Sequence, residues 1–352
     1  MKSGIASFAI LLCGLAMGAD AQPKPTQLAK RVIEIKMATL APKDSPWCDV
    51  LVHMGERWKN ISNGNVKLTL YAGGVMGDEP DTVNKLRVRL IQAVALTGAG
   101  MGEIEKGVAA LQIPMMFDSY EELDYVRDRL APQLEKRIEA DGFVVLNWGD
   151  AGWVYFFADK PMPRLSDLRK LKMFSWEGSN DELELWKANG FRPQALAATD
   201  ILMGLKTGLI DVIPTTPLYA LWNQCFTLAK YMTDVKWAPL VGATLISKET
   251  WDKIPEAQRD PMLQAAHDSG QQLRSSIRDM GDKAIGVMTG GLHGKKMDKL
   301  TIVHADDATL ADWRRQTEAA YPAMRGKIIP ADLFDEARRL HDEYRAKKGV
   351  HK

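Results

Sequence analysis

The stretch that most constrains the fold of this chain runs from residue 167 to residue 220. A polar lead-in, DLRKLK, runs into a short apolar segment that ends at Trp176, which is typical of a strand. A segment with helix spacing follows and stops at Asn189 and Gly190, a favourable C-cap. A second capped helix is predicted over Thr199–Gly208, ahead of another apolar run. Strands and helices that alternate in this way predict an α/β domain, in which ligands bind at the strand ends.

The rest of the chain continues this alternation of strands and helices. Apolar periodicity predicts strands over residues 32–40, 66–71, 91–97, 143–146 and 237–246, with a short strand at 300–303. Helix spacing is found over residues 47–58, 81–89 and 119–140. A long helical pattern follows Pro255, and at a rise of 1.5 Å per residue it would reach roughly 50 Å. Such a helix is long enough to lie across two domains.

Length and composition are those of a folded protein of two ordinary domains. The chain has 352 residues, of which 46% are hydrophobic and 26% charged, so general disorder is excluded. The formal net charge of +1 does not favour nucleic acid as a partner. Ten tryptophans and 17 methionines are many for this length. They predict either a well-filled core or an aromatic, adaptable binding cleft.

The first 21 residues have the features of an export signal. Lys2 precedes a mostly apolar run, and Ala19–Ala21 forms a small-residue cleavage site. A lipoprotein signal at Cys13 is the alternative, although Leu12 is large for the residue before such a cysteine. Export to the periplasm, with residues 1–21 removed, is the prediction. Cys48 and Cys225 would then remain, either paired or buried as thiols.

The residues give little indication of catalysis or of a bound cofactor. The glycine-rich segment Thr97–Gly102 lacks both the dinucleotide spacing and a Gly-Lys-Ser/Thr ending. The six histidines are scattered and none has metal-ligand spacing, so no metal is predicted. No nucleophile elbow and no zinc-protease motif is present. A protein that is not an enzyme and needs no cofactor is therefore predicted, with a periplasmic enzyme as a remote alternative.

Three segments resemble one known family, namely Ser62–Glu79, Leu111–Glu122 and Asp167–Asp211. They look like the substrate-binding proteins of tripartite ATP-independent periplasmic (TRAP) transporters. The resemblance implies a periplasmic-binding-protein-like fold of two α/β lobes, joined by a hinge and spanned by the long helix. It implies a first lobe of residues 32–153 and about 244–283, and a second of 154–243 and about 284–335. Residues 336–352 would form a C-terminal helix and a frayed tail.

The same resemblance places the ligand in a cleft between the lobes. It implies that Trp47 lies at one lip of this cleft. Thr97, at the end of a predicted strand, is expected to contribute a hydroxyl to the ligand. Trp153, Phe174 and Trp176 would form an apolar wall, and the polar partners would be Asn180, Thr215 and Thr216. Tyr219 lines the cleft or packs beneath it.

Two of these positions differ from the family pattern in the same direction. The family carries ligand-clamping arginines where this chain has Trp153 and Phe174. A typical dicarboxylate is therefore not expected, unless Arg164, Lys172 or Arg192 supplies a replacement cation. The predicted function is a receptor that delivers a small organic molecule, carboxylate or apolar, to a TRAP membrane permease. The alternative is an exported carrier of a hydrophobic ligand or lipid on the same fold.

Overall fold

The computed structural model of the protein describes residues 32–290 and 300–349. Two long antiparallel strands connect the two halves of the molecule. The predicted signal peptide, residues 1–21, lies outside this described part. The strands are β1 Ile33–Thr39, β2 Val66–Tyr71, β3 Ala93–Thr97, β4 Phe143–Ala158, β5 Lys172–Trp176, β6 Arg192–Leu196, β7 Val212–Thr215, β8 Tyr231–Ser247 and β9 Thr301–Val303. Their order in the sheet is β2-β1-β3-β8-β4-β7-β5-β6, and β9 pairs with β8.

The two connecting strands, β4 and β8, explain how one sheet serves two lobes. The beginning of β4 pairs with the end of β8 beside β3, and the end of β4 pairs with the beginning of β8 beside β7. The β4–β8 register shifts at three places between Val145 and Phe156. Irregularities of this kind bend and twist a strand pair. The predicted lobe boundary at residues 153 and 154 falls among them.

Helices pack against the strands of both lobes. They are α1 Pro46–Ile61, α2 Glu79–Arg87, α3 Gly98–Gly102, α4 Tyr120–Ala140, α5 Leu165–Leu168, α6 Asn180–Ala188, α7 Ile201–Thr207, α8 Pro217–Trp222, α9 Lys248–Asp252, α10 Glu256–Gly290, α11 Asp307–Glu318, α12 Tyr321–Met324 and α13 Ala331–Lys348. The C-terminal helix α13 packs against α4. Within the described residues, no helix has the length and apolar character needed to cross a membrane.

Helix α10 is the long spanning helix that the sequence predicts. Its 35 residues extend about 52 Å at 1.5 Å per residue. Near its beginning, Trp58 in α1 donates its indole N–H to the carbonyl of Met262 at 2.9 Å. Farther along, Ile277 and Ala284 pack against Leu218 in α8. The helix therefore holds elements of both lobes.

Two glycines in α10 have opposite consequences for stability. A Cβ added at Gly270 would lie 2.6 Å from the Cβ of Asn147, because the helix packs directly on β4, whereas Gly281 has nothing within 4 Å. We expect Gly270→Ala to lower the unfolding free energy by about 1–3 kcal/mol through overpacking. We expect Gly281→Ala to raise it by about 0.5–1 kcal/mol through helix propensity. Urea unfolding of both variants checks this, and equal effects would contradict the close helix–strand contact.

The two cysteines of the mature chain do not form a disulfide. Cys48 lies in α1 and Cys225 follows α8, and both thiols are buried and free. Burial raises the pKa of the Cys48 thiol and keeps it protonated at neutral pH. Of the two alternatives that the sequence leaves open, the structure shows the second.

Candidate ligand-binding cleft

A cleft of about 130 Å³ lies where the carboxyl ends of strands from both lobes meet. The ends of β1 and β3 reach it from the first lobe, and the ends of β5 and β7 reach it from the second. The carboxyl ends of parallel strands are where α/β folds bind ligands. Its lining residues include Thr39, Leu40, Trp47, Glu79, Thr97, Asp150, Phe174, Trp176, Ala198, Thr215, Thr216, Tyr219 and Val241.

Most of the residues predicted to contact a ligand are brought together at this cleft. Those that line it are Trp47, Thr97, Phe174, Trp176, Thr215, Thr216 and Tyr219. The rings of Phe174 and Trp176 pack edge to face with their centroids 5.2 Å apart, and they are two of the three rings predicted to form an apolar wall. Asn180 lines a second, larger cavity, which Phe174 and Trp176 also line. Direct ligand contact by any of these side chains stays a prediction.

Trp153 lines neither cavity. It is 6% exposed, packs against Tyr120 with the ring centroids 5.3 Å apart and the planes tilted by 36°, and has the Lys236 ammonium 5.3 Å from its ring. The β4–β8 register shifts between Asp150 and Trp153, and Gly152 has a φ of 101°. An extra residue in one strand redirects the side chains that follow it, so Trp153 packs beside α4 rather than in the cleft.

Glu79 is a buried acid at the cleft that the sequence analysis did not single out. It is 1% exposed and accepts hydrogen bonds from the N–H and hydroxyl of Thr97, both at 2.8 Å, and from the N–H of Gly100 at 2.7 Å. Burial raises the pKa of the Glu79 carboxyl to about 7, against these hydrogen bonds, which lower it. The hydroxyl of Thr97 therefore already has a hydrogen-bond acceptor within the protein. Glu79 is a titratable group in the lining of the cleft.

The position of Glu79 gives the protein a pH-dependent stability. Because the pKa of the Glu79 carboxyl rises from 4.5 to about 7 on folding, its contribution to the unfolding free energy is complete below pH 4.5 and is lost as the pH rises through 7. We expect the unfolding free energy to fall by about 3 kcal/mol between pH 4.5 and pH 8 from this group. Urea unfolding at a series of pH values checks the slope. Glu79→Gln should flatten it, and identical slopes for the two proteins would contradict the assignment.

Asp150 is the second acid at the cleft, and it already has a partner. Its side chain is 1% exposed and pairs with Arg278 of α10 at 2.7 Å. Arg278 also pairs with Asp124 of α4 at 2.7 Å and lies 4.1 Å from the ring of Tyr120. Burial acts to raise the pKa of Asp124, but the hydrogen bonds and charges of Arg278 and Arg127 outweigh it and lower the pKa. The network joins the long helix to the irregular part of β4.

No lysine or arginine is among the described residues that line the cleft. The three replacement cations suggested by the sequence do not line either cavity. Lys172 pairs with Asp211 at 3.3 Å, and Arg192 donates to the carbonyl of Lys170 at 3.1 Å. Arg164 is exposed at the start of α5. The described lining of the cleft therefore carries acidic, hydroxyl, amide and apolar side chains but no lysine or arginine.

The rim of the cleft holds direct contacts between the lobes. The Asp78 carboxylate accepts the N–H of Glu79 in its own lobe and the N–H of Ala198 in the other, each at 2.8 Å. At the second cavity, which both residues line, Lys106 of the first lobe pairs with Asp181 of the second at 2.9 Å. The side chain of Asp78 is buried, so its hydrogen bond to Ala198 is shielded from water. These contacts are made when the lobes are together, as in this structure.

Comparison with known proteins identifies the family. The description "Bacterial extracellular solute-binding protein, family 7" (DctP) matches residues 37–327. The chain belongs to this family of solute-binding proteins. A relative is the C4-dicarboxylate-binding periplasmic protein DctP of Rhodobacter capsulatus, 23% identical over 258 residues, 73% of this chain and 77% of the relative. The predicted resemblance to TRAP substrate-binding proteins is thereby confirmed.

Solved structures show the same two-lobed fold as this solute-binding protein. The sugar acid binding protein DctPAm of Advenella mimigardefordensis, solved with galactonate, has a TM-score of 0.81 and 17% identity. It is matched over 89% of this chain and 99% of its own. A TRAP periplasmic solute binding protein of Shewanella oneidensis, solved with succinate, has a TM-score of 0.80 and 16% identity, over 88% and 99% of the chains. These neighbours confirm the α/β periplasmic-binding-protein fold, and both are solute-binding proteins rather than enzymes.

Proposed function

We propose that this solute-binding protein is an exported receptor that closes around a small organic molecule without a carboxylate and delivers it to a TRAP membrane permease. The signal-like residues 1–21 and the extracellular family support export to the periplasm. Closure of two lobes about connecting strands is a common way in which binding proteins enclose a ligand. The register shifts of β4 lie where such a hinge would bend.

The absence of a cation from the lining of the described cleft carries the ligand assignment. A carboxylate that leaves water needs charged or strong hydrogen-bond partners, each worth about 1.5–3 kcal/mol. Here the Glu79 carboxylate, when ionised, would repel an anion, the charge of Asp150 is already balanced by Arg278, and Phe174 provides only apolar surface. An uncharged solute with hydroxyl or amide groups can use the hydroxyl of Thr215, at the end of β7, and the apolar rings of Phe174 and Trp176, which also line the cleft.

The alternatives have less in their favour. A cleft of about 130 Å³ is small for an acyl chain, so a lipid carrier fits it poorly. Neither the matched family nor the relatives described above support a lipid carrier or a periplasmic enzyme. Within the described residues, no group of three or more His, Cys, Asp or Glu side chains is arranged to hold a metal ion. A receptor that is not an enzyme remains the simplest proposal.

A thermal-shift screen of the refolded, ligand-free mature protein tests the proposal. One arm contains neutral polyols, sugars and amides, and the other contains C4-diacids, keto acids and sugar acids. A true ligand at 100 times its Kd stabilises the folded protein by about 2.7 kcal/mol, which is a resolvable rise in Tm. We expect shifts in the neutral arm that Thr215→Val reduces. Shifts confined to the acid arm would contradict the ligand assignment while leaving the receptor role intact.

A further inference from the structure

The carboxylate of Asp78 is shared between the two lobes. Its Oδ1 accepts the backbone N–H of Glu79 at 2.8 Å and so caps α2 in the first lobe. Its Oδ2 accepts the backbone N–H of Ala198 at 2.8 Å, at the beginning of the 3-10 helix Ala198–Asp200 in the second lobe. Asp78 is 3% exposed and Ala198 is 5% exposed, so the hydrogen bond between the lobes is closed to water. A carboxylate acceptor makes such a bond about twice as strong as a neutral acceptor does.

The backbone beside Asp78 also fits closely against the second lobe. The turn that precedes α2 contains Gly74, which has a φ of 74° and donates its N–H to the carbonyl of Thr39 at 3.1 Å. A Cβ added at Gly74 would lie 2.8 Å from Cγ2 of Thr199, the residue that follows Ala198. Only a residue without a side chain fits between the lobes at this point. The hydrogen bond of Asp78 therefore forms within a closely packed contact.

The other polar contact between the lobes is of a weaker kind. Lys106 and Asp181 form an ion pair across the lobes, but their side chains are 61% and 45% exposed. Water already surrounds both groups, so separating the lobes changes their free energy little. Opening a hinge would cost more at Asp78, where a buried hydrogen bond to a carboxylate is lost. Of these two contacts, that of Asp78 is the one able to hold the lobes together.

The same hydrogen bond lies directly at the cleft. Ala198 and Glu79, the two residues whose N–H groups Asp78 accepts, both line the cleft, one from each lobe. Parting Asp78 from Ala198 would therefore separate two walls of the cleft. The position of the second lobe over the cleft depends on this contact.

We propose that Asp78 is a latch between the lobes, whose hydrogen bond to Ala198 keeps the closed arrangement populated before a solute binds. Asp78 is a positioning residue, because it acts through the placement of Ala198 over the cleft. The latch raises the affinity for any solute that binds the closed form, since the apparent Kd falls as the closed fraction rises. This consequence rests on the proposed receptor function, whereas the latch itself is measured without a solute.

Distances between spin labels on the two lobes, measured by pulsed electron paramagnetic resonance, test the latch in the refolded, ligand-free mature protein. Labels at Lys59→Cys in α1 and Lys187→Cys in α6 use one exposed position in each lobe, and the buried Cys48 and Cys225 stay unlabelled in the folded protein. We expect the parent to show a closed population. Asp78→Ser should lower the ratio of closed to open molecules at least about tenfold. Serine still caps α2, but its single oxygen cannot also accept the Ala198 N–H.

Two further variants separate the latch from a general loss of stability. Asp181→Ser makes the same substitution in the exposed ion pair and should change the ratio by less than about twofold. Ala198→Pro removes the N–H from the second lobe and should open the lobes as Asp78→Ser does. Ala197, with φ −67° and ψ 145°, already has the extended conformation that precedes a proline. Asp78→Ser and Ala198→Pro together should have no larger effect than either alone, because they remove one hydrogen bond.

A cooperative urea transition establishes that each variant is folded, and either variant of the latch suffices for the test. The proposal is overturned if the parent has no closed population, or if folded Asp78→Ser or folded Ala198→Pro leaves the ratio of closed to open molecules unchanged. Equal effects of Asp78→Ser and Asp181→Ser would also overturn it. A latch that behaves as expected in a protein that no solute stabilises would contradict the proposed function alone.

Discussion

Replacing Arg278 with methionine is expected to lower the unfolding free energy by about 3–5 kcal/mol, as measured by urea unfolding. Arg278 is the shared partner of Asp150 and Asp124, each at 2.7 Å. Without it, the Asp150 carboxylate would remain 1% exposed with no compensating charge. Removing one partner of a buried ion pair is costly for that reason. The variant should also loosen the attachment of α10 to β4.

A matched control separates the buried network from ordinary surface pairs. Arg57 also forms an ion pair with α10, to Asp268 at 2.7 Å, but the two side chains are 46% and 42% exposed. Exposed pairs contribute about 0–1 kcal/mol, so Arg57→Met should be nearly neutral. Combining Arg278→Met with Asp150→Leu should recover part of the loss, since both charges are then removed. Equal effects of Arg278→Met and Arg57→Met would show that the network does not hold the hinge region.

Phe174→Arg is expected to create carboxylate binding in a cleft whose described lining has no lysine or arginine. An arginine there could form two charge-assisted hydrogen bonds with a carboxylate, each worth about 1.5–3 kcal/mol. We therefore expect the Kd for succinate to fall by at least about 100-fold, as measured by titration calorimetry. The same change should lower the unfolding free energy of the ligand-free protein by at least about 2 kcal/mol. Phe174 is 2% exposed, and a charge at that depth has no partner.

Phe174→Met is the control for this gain of function. It removes the ring and its packing against Trp176 without adding a charge, so it should leave succinate binding as weak as in the parent protein. If Phe174→Arg gained no affinity for any carboxylate while remaining folded, the residue would not face the ligand. The explanation of selectivity by this position would then be wrong.

The alternation of strands and helices after residue 167 was predictable because its signals are local. The turn after α6 needs a left-handed residue, and Gly190 supplies it with a φ of 80°. Helix α7 likewise ends at a left-handed residue, Gly208, whose φ is 70°. Such stop signals depend on backbone conformation alone and are readable from single residues.

Longer-range features were predicted less well. The prediction for β8, residues 237–246, is too short, because the strand begins at Tyr231. This strand changes partners along its length, from β9 to β3, so its apolar pattern is not uniform. The glycine-rich segment Gly98–Gly102, to which the sequence analysis assigned no element, forms a short helix. Its glycines allow close packing, since a Cβ at Gly100 would lie 2.9 Å from the side chain of Glu79.

The site shows the same division between local and distant information. Thr215 and Thr216 follow a strand directly, and their place at the cleft could be inferred from that position. The roles of Glu79 and Asp150 depend on burial and on partners far away in the chain, such as Arg278, which no local pattern encodes. The orientation of Trp153 depends on a register shift in β4 that the sequence does not reveal.

Titration calorimetry of the refolded, ligand-free mature protein with the acids bound by its structural neighbours is the most direct test of the central claim. Galactonate and succinate are the two to use, because each was solved with a two-lobed protein of this fold. Because no lysine or arginine is among the described residues of the cleft, we expect a Kd weaker than about 1 mM for both acids, which corresponds to a binding free energy smaller than about 4 kcal/mol. A micromolar Kd for either acid would mean that a carboxylate is recognised here, and would contradict the account.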